Sequence, residues 1–486
     1  MNRHRETDDS NTRDLAPVGT PIRARSVAHF FEFTIFIALL TLIALTAIPY
    51  GTNGPMAKAL FECIVLALAA LWIIEGLLSG SWWRPVHRLL VPGLVLLAYA
   101  FLQTLPFTRA NIGGGIEGIV WRAVSFDPQS TRLAVMTLLA YVLVLGLLLR
   151  YTNTRRRLRA LIYLVIGIAV LSAVFGMLRQ MTQREAGFLL PGLMPYMGYG
   201  QFINPNHFAF LMEMALGLTL GLIVAGGVRR EKMLIYLAPA LLLWTALVLS
   251  NSRGGILSML SQMLFLVLIY SLSRPRGEAS EKPTWLLRAA GSSVVRVAII
   301  IALLIGLVFS VFWLGGERLE SKIDPTDNVT ATGRDVTPRV EIWRSTWQVI
   351  KAHPVAGVGF GAYWVAIDEF SDRSGKFKPY EAHNDYLDLL ASGGLIGLAL
   401  AGWFVFLVIK RARIQLRATD PFRRAACAGA LVGLFGVAVH SLVEFGLQTT
   451  VNAVIFVVLI VIATAEIEGG LSKAEGKGRE VRETGS

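Results

Sequence analysis

The chain has 486 residues, 54% hydrophobic and only 16% charged, with a mean hydropathy of +0.57. An ordinary soluble domain carries about 25% charged residues, so this balance excludes a soluble globule. Apolar blocks of about 20 residues, long enough for a ~30 Å hydrocarbon core, exclude a barrel of ~10-residue alternating strands. The net charge of +13 does not point to nucleic acid. No basic module stands apart from the apolar blocks, and cytoplasmic loops of helical membrane proteins are rich in Lys and Arg.

In chain order, a polar tail of mixed charge spans 1–28. It is too long and too acidic for a signal-peptide n-region, so the first apolar block reads as a retained helix. Twelve transmembrane spans are expected, near 30–50, 57–79, 88–106, 132–150, 158–178, 203–226, 233–250, 254–272, 293–314, 385–409, 424–444 and 446–467. The expected class is therefore an all-α polytopic membrane protein. Cys63 and Cys427 lie inside apolar blocks without a CxxC pattern, which reads as packing, not as a disulfide or metal site.

With the N-terminus in the cytoplasm, the inner loops collect Arg84 and Arg88, Arg150 to Arg159, Arg229 to Lys232, Arg274 to Arg288 and Lys410 to Arg424. The positive-inside rule then places both termini in the cytoplasm. The expected organisation is a cytoplasmic tail (1–28), an N-terminal bundle of about nine helices (29–314), a large outer loop (315–384), C-terminal helices (385–467) and a cytoplasmic tail (468–486). Within the loop, Thr337-Pro338 reads as an N-cap with Pro at the first helical position. An amphipathic helix should follow, with Ile342, Trp343, Thr346, Trp347 and Ile350 near one face.

Four stretches bring polar chemistry to the outer ends of spans. Asn251-Ser252-Arg253-Gly254-Gly255 opens span eight, where a helix N-terminus beside a guanidinium favours an anion; the alternative is a hairpin turn with one interfacial Arg. Arg339 falls in the first turn of the loop helix, against the usual helix-dipole preference. A bound anion explains that placement, and so does an ion pair with Glu341 or Asp335. Glu381-Ala382-His383-Asn384-Asp385 opens span ten, with His383 as a candidate general base and Asn384 or Asp385 as a cap. Gln201 to His207 leads into span six, with Asn206 and His207 as substrate-binding candidates and a capped Asx-Pro turn as the plainer reading. The intramembrane carboxylates Glu213, with Arg179 a possible partner, and Glu444 rank behind these. Two arginines suit a pyrophosphate, and a nearby His suits deprotonation of an acceptor alcohol. A metal-independent transfer from a diphosphate-activated donor follows.

At these residues the sequence resembles the O-antigen ligase/polymerase superfamily (Wzy/WaaL type). The resemblance rests on Ser252-Arg253-Gly254-Gly255, Arg339-x-x-x-Trp343, His353-Pro354-x-x-Gly357-x-Gly359, and His383-Asn384-x-x-Leu387 followed by Gly393-Gly394-Leu395-Ile396-Gly397. It implies an inverting GT-C-type glycosyltransferase of the bacterial inner membrane, acting at the periplasmic face without a cofactor. The donor would be a glycan on undecaprenyl pyrophosphate and the acceptor a second glycan or lipid A–core. Arg253 and Arg339 would bind the pyrophosphate and His383 would activate the acceptor hydroxyl. The family often has a second His two residues before the first of the His-Asn pair; Glu381 stands there and is a candidate to orient His383. The lead-ins Asp127-Pro128-x-x-Thr131-Arg132 and Asn204-Pro205-Asn206-His207 look more like exopolysaccharide-type members, which favours a polymerase, attended or not by a chain-length regulator, over a ligase. The rival from another class is a transporter of lipid-linked sugars or solutes. Its two pseudo-repeated halves and midplane polar residues are not the pattern here.

Overall fold

Asx-Pro pairs start three of the helices. In the computed structural model, which describes residues 22–48, 50–80, 87–111, 119–182, 198–273, 339–370 and 379–467 plus three isolated helical positions between 298 and 305, Asp127, Asn204 and Asp420 are N-caps. Each side chain accepts from first-turn backbone N–H groups, and Pro128, Pro205 and Pro421 follow at the first helical position. The principal helices are α1 (Ile22–Thr46), α2 (Pro55–Ser79), α3 (Leu90–Leu102), α4 (Pro128–Tyr151), α5 (Arg155–Thr182), α6 (Pro205–Val224), α7 (Met233–Leu249), α8 (Arg253–Ser273), α9 (Arg339–Ala352), α10 (Asp385–Gln415), α11 (Pro421–His440) and α12 (Thr450–Thr464). Among the described residues, eight helices are long and apolar enough to cross a membrane, and three shorter apolar ones fall on expected spans one, three and twelve. The expected ninth span, 293–314, and the 468–486 tail lie outside the described residues, apart from those isolated positions. Helix α1 begins at Ile22, inside the stretch expected as a polar tail. The described architecture is all-helical as expected, apart from a short antiparallel ladder, Thr108–Asn111 paired with Ile119–Arg122, among the described residues.

The two ends of the bundle differ. At one, Arg150 pairs with Glu75 (2.9 Å), Arg157 with Glu32 (2.6 Å) and Arg155 with Asp420 (3.4 Å). Buried Arg423 caps the C-terminus of α12 by donating to the Ile462 and Ala465 carbonyls (2.6 and 2.7 Å). At the other end meet the N-termini of α6, α8, α10 and α12 and the C-terminus of α11, and there the site lies.

Helices α6 and α11 form the enclosed centre. Each carries a small-xxx-small motif, Gly217/Gly221 and Gly429/Gly433, and the two motifs face each other. A Cβ on Gly217 would stand 2.5 Å from the Gly433 nitrogen, and one on Gly221 would collide with the Gly429 Cα. Only glycine lets the backbones approach this closely.

Between α8 and α10, α9 buries Ile342, Thr346, Val349 and Ile350. Trp347, expected on that face, is 48% exposed: it falls a position past the buried stripe. This helix and residues 358–367 pack a small apolar core of their own with Ala382 and Ala391. Helix α10 is broken at Gly394 (φ 62°, ψ −164°). There Val358 N–H and Gly359 N–H donate to the Ala391 and Ser392 carbonyls (2.9 and 3.0 Å), and Leu395 N–H donates to the Pro354 carbonyl (2.9 Å). Gly394 therefore supplies a backbone conformation that L side chains rarely adopt.

Candidate functional site

Helix starts place most of the polar side chains at this end. Asn384 caps α10, accepting from Tyr386 and Leu387 N–H at 3.0 Å each, while its Nδ2 donates to the Leu442 carbonyl (2.7 Å). The Nδ2 hydrogen bond ties the start of α10 to the turn after α11. His383, just before the cap, has φ 49°, a left-handed conformation uncommon for a side-chain-bearing residue and frequent at functional sites. Ser252 caps α8 by accepting from Gly255 N–H (3.1 Å).

These starts converge on one carboxylate. Glu444, in the turn after α11, has a side chain 1% exposed. Its Oε2 accepts from an Arg339 terminal nitrogen at 2.8 Å and from Asn206 Nδ2; its Oε1 lies 3.1 Å from His383 Nδ1. Asn206 in turn accepts from the Ser252 hydroxyl (2.8 Å), which carries the network to the residue beside Arg253. Arg253 is the first residue of α8 and is exposed.

Burial would push the Glu444 carboxyl up, but the Arg339 guanidinium first, then the hydrogen bond and charge of His383 and the charge of His207, hold it well below the usual carboxylate range. It is ionised at neutral pH and can only accept. The Nδ1 of His383 must therefore be the donor, and the neutral ring carries its lone pair on Nε2. The edge-on ring of Phe445, 4.7 Å from the imidazole centroid, packs against the same His383 ring. The Arg339 Nε is buried without a protein partner, a donor that an anion could use.

Thus Arg339, His383, Asn384 and Asn206 are brought together, and Arg253 stands at the same end. His207 is placed differently. It is buried, its Nδ1 lies 2.9 Å from the Thr449 hydroxyl and its carbonyl accepts from Asn452 Nδ2 (3.0 Å). It lies beneath the cluster, and its Nε2 is buried without a protein partner. Glu381 does not supply the partner of the His383 Nδ1; Glu444 does. The Glu381 carboxyl is pushed up to about 8, first by burial, then by repulsion from Asp388 and Asp385, against a hydrogen bond from Gln448. Glu213 pairs with His440 (3.1 Å), while Arg179 donates to the Gly200 carbonyl (2.8 Å).

Glu444 is the residue that sequence reasoning ranked too low. The signal was available: an ionisable residue at the end of a span needs partners, and three candidate donors lay at the same face.

Residues 238–402 match the family model described as O-antigen ligase (Wzy_C), in keeping with the O-antigen ligase/polymerase superfamily. No curated protein matches the chain significantly. The matched segment contains Arg253, Arg339 and His383 and excludes Glu444, which joins Arg339 to His383, and Asn206, which links Glu444 to Ser252.

Proposed function

We propose that this chain is an inverting GT-C-type glycosyltransferase of the bacterial inner membrane. It moves a glycan from undecaprenyl pyrophosphate to an acceptor hydroxyl at the periplasmic face. The observation that carries the reading is the bond between the ionised Glu444 and His383 Nδ1, which turns Nε2 into a base. The acceptor oxygen attacks the anomeric carbon as its proton passes to His383 Nε2. The bond from that carbon to the diphosphate oxygen breaks, and the diphosphate leaves on its lipid carrier. A single displacement inverts the anomeric centre. Arg253 and Arg339 meet the charge growing on the leaving group, so the transfer uses no metal. Membrane lipids surround the bundle. The basic end around Arg150, Arg155 and Arg157 faces the cytoplasm under the positive-inside rule, with both termini.

For the acceptor, the reading is a polymerase that extends a second lipid-linked glycan, supported by the resemblance of the leads into α4 and α6; a chain-length regulator fits that role. The description of the matching family model favours a ligase acting on lipid A–core. A deletion strain separates the two when surface glycan and lipid-linked intermediates are sized together. Single repeat units in place of long chains indicate a polymerase. Full-length chains stranded on the carrier, with bare lipid A–core, indicate a ligase. Unchanged glycan without lipid-linked build-up refutes both. In that strain, Arg253→Ala, Arg339→Ala and His383→Ala at wild-type membrane level should each fail to restore product.

A further inference from the structure

One stripe of α6 holds the turn that carries Glu444. Asn206, Phe210 and Glu213 fall at successive turns of that helix, on the face toward the end of α11. Asn206 donates to Glu444 itself. Phe210 lies inside the turn, with the His440 ring stacked on it (4.1 Å, 15°) and the Gly446 Cα so close that a Cβ there would collide with it. Glu213, 0% exposed, accepts from or donates to His440 Nδ1 at 3.1 Å, with His440 itself 1% exposed. The chain thus folds around one phenylalanine ring between His440 and Gly446, with Glu444 in the enclosed turn. The other edge of the His440 ring abuts α8: a Cβ on Gly254 would stand 2.7 Å from its Nε2. Gly254 follows Arg253.

A buried His–Glu pair in a membrane protein is costly, and an apolar pair of the same shape often does as well or better for stability. Packing alone does not account for it. We propose that His440 and Glu213 are positioning residues for the transfer: their hydrogen bond fixes the turn that aims Glu444 at His383. The inference rests on the reading of His383 as general base. The pair touches no substrate. It acts by distance, and a reacting group misplaced by about 1 Å can cost about 10²-fold in rate.

The test uses the full-length protein in liposomes, with an undecaprenyl-pyrophosphate-linked glycan as donor and its acceptor, and reads kcat and donor KM. The double variant His440→Phe with Glu213→Leu keeps the stack on Phe210 and replaces the pair by apolar groups, so it should fold at wild-type level. Its kcat should fall about 10²-fold with donor KM changed by about 2-fold or less. Glu213→Gln, which retains a hydrogen-bond partner for His440, should stay within about 3-fold of wild type. A stable double variant with wild-type kcat overturns the inference, and so does a Glu213→Gln variant as slow as the double variant. His383→Ala serves as the control: if it is active, the general-base reading has failed, whereas an inactive His383→Ala beside a fully active double variant sinks the positioning role alone.

Discussion

Glu444→Gln tests the centre of the site with the least damage to the fold. The amide keeps nearly the shape of the carboxylate and can still accept from Arg339 through its oxygen, whereas Glu444→Ala would strand a guanidinium whose side chain is 14% exposed and cost about 3–5 kcal/mol. What the amide removes is the obligation on His383. An ionised Glu444 accepts only, so Nδ1 must donate and Nε2 must be the base. An amide can present its NH2 to Nδ1 and put the proton on Nε2, the wrong tautomer for taking a proton from an acceptor. In a serine-protease triad the equivalent acid-to-amide change drops kcat about 10⁴-fold, and general-base catalysis as a whole is worth about 10²–10⁴-fold. We expect kcat for Glu444→Gln to fall within that range of about 10²–10⁴-fold, with donor KM little changed because the arginines remain. Initial rates in liposomes across a donor series give both constants. A Glu444→Gln protein at normal membrane level with a rate within about 3-fold of wild type would refute the tautomer argument, since no general base of ordinary efficiency is that insensitive to its proton position.

The same carboxylate gives a stability signature. Its folded-state pKa is depressed, so its contribution is fully present above the ordinary carboxylate range and is lost as pH falls toward the folded value. The Tm advantage of wild type over Glu444→Gln in detergent should hold constant from about pH 7 to 5 and shrink below about pH 4. Glu381 has the opposite sign, because its pKa is raised from 4.5 to about 8. The native state binds the extra proton, so stability falls as pH rises through that window. The Tm of Glu381→Gln relative to wild type should climb from about pH 5 to 8 and level off above it; a flat difference would show that Glu381 is not buried among like charges. Gly221→Ala should destabilise the α6–α11 crossing by at least about 1–3 kcal/mol, seen as loss of membrane level or Tm, because its Cβ meets backbone and not a movable side chain. Arg339→Lys should retain the ion pair with Glu444 but raise donor KM, since an ammonium cannot replace the guanidinium fork on a diphosphate.

The helices were readable because a span must be apolar for about 20 residues and the Asx-Pro starts announce themselves. Both signals are local. The break in α10 was not readable. Ser392-Gly393-Gly394 reads equally well as a packing surface, and only the approach of residues 354–359, about 40 positions upstream, makes a left-handed Gly394 necessary. The facing glycine pairs of α6 and α11 were written in the sequence as two small-xxx-small motifs, yet nothing local says which pairs with which.

The site divides the same way. His383, Arg339 and Arg253 stood out because each breaks a local rule or sits at a helix start. Glu444 breaks no rule that the sequence displays: it is a single acid at the end of an apolar block. Its importance comes from partners 61, 105 and 238 positions away. The family match stops short of it for a related reason. A motif is a run of neighbouring positions, while an ionised carboxylate buried in protein is defined by what surrounds it, and those charges arrive from helices joined only by the fold. A histidine base needs such a fixed acceptor behind it. A chain of this kind that kept the three motif residues but placed an apolar side chain at the position of Glu444 should retain the arginines proposed to bind the diphosphate and lose the transfer.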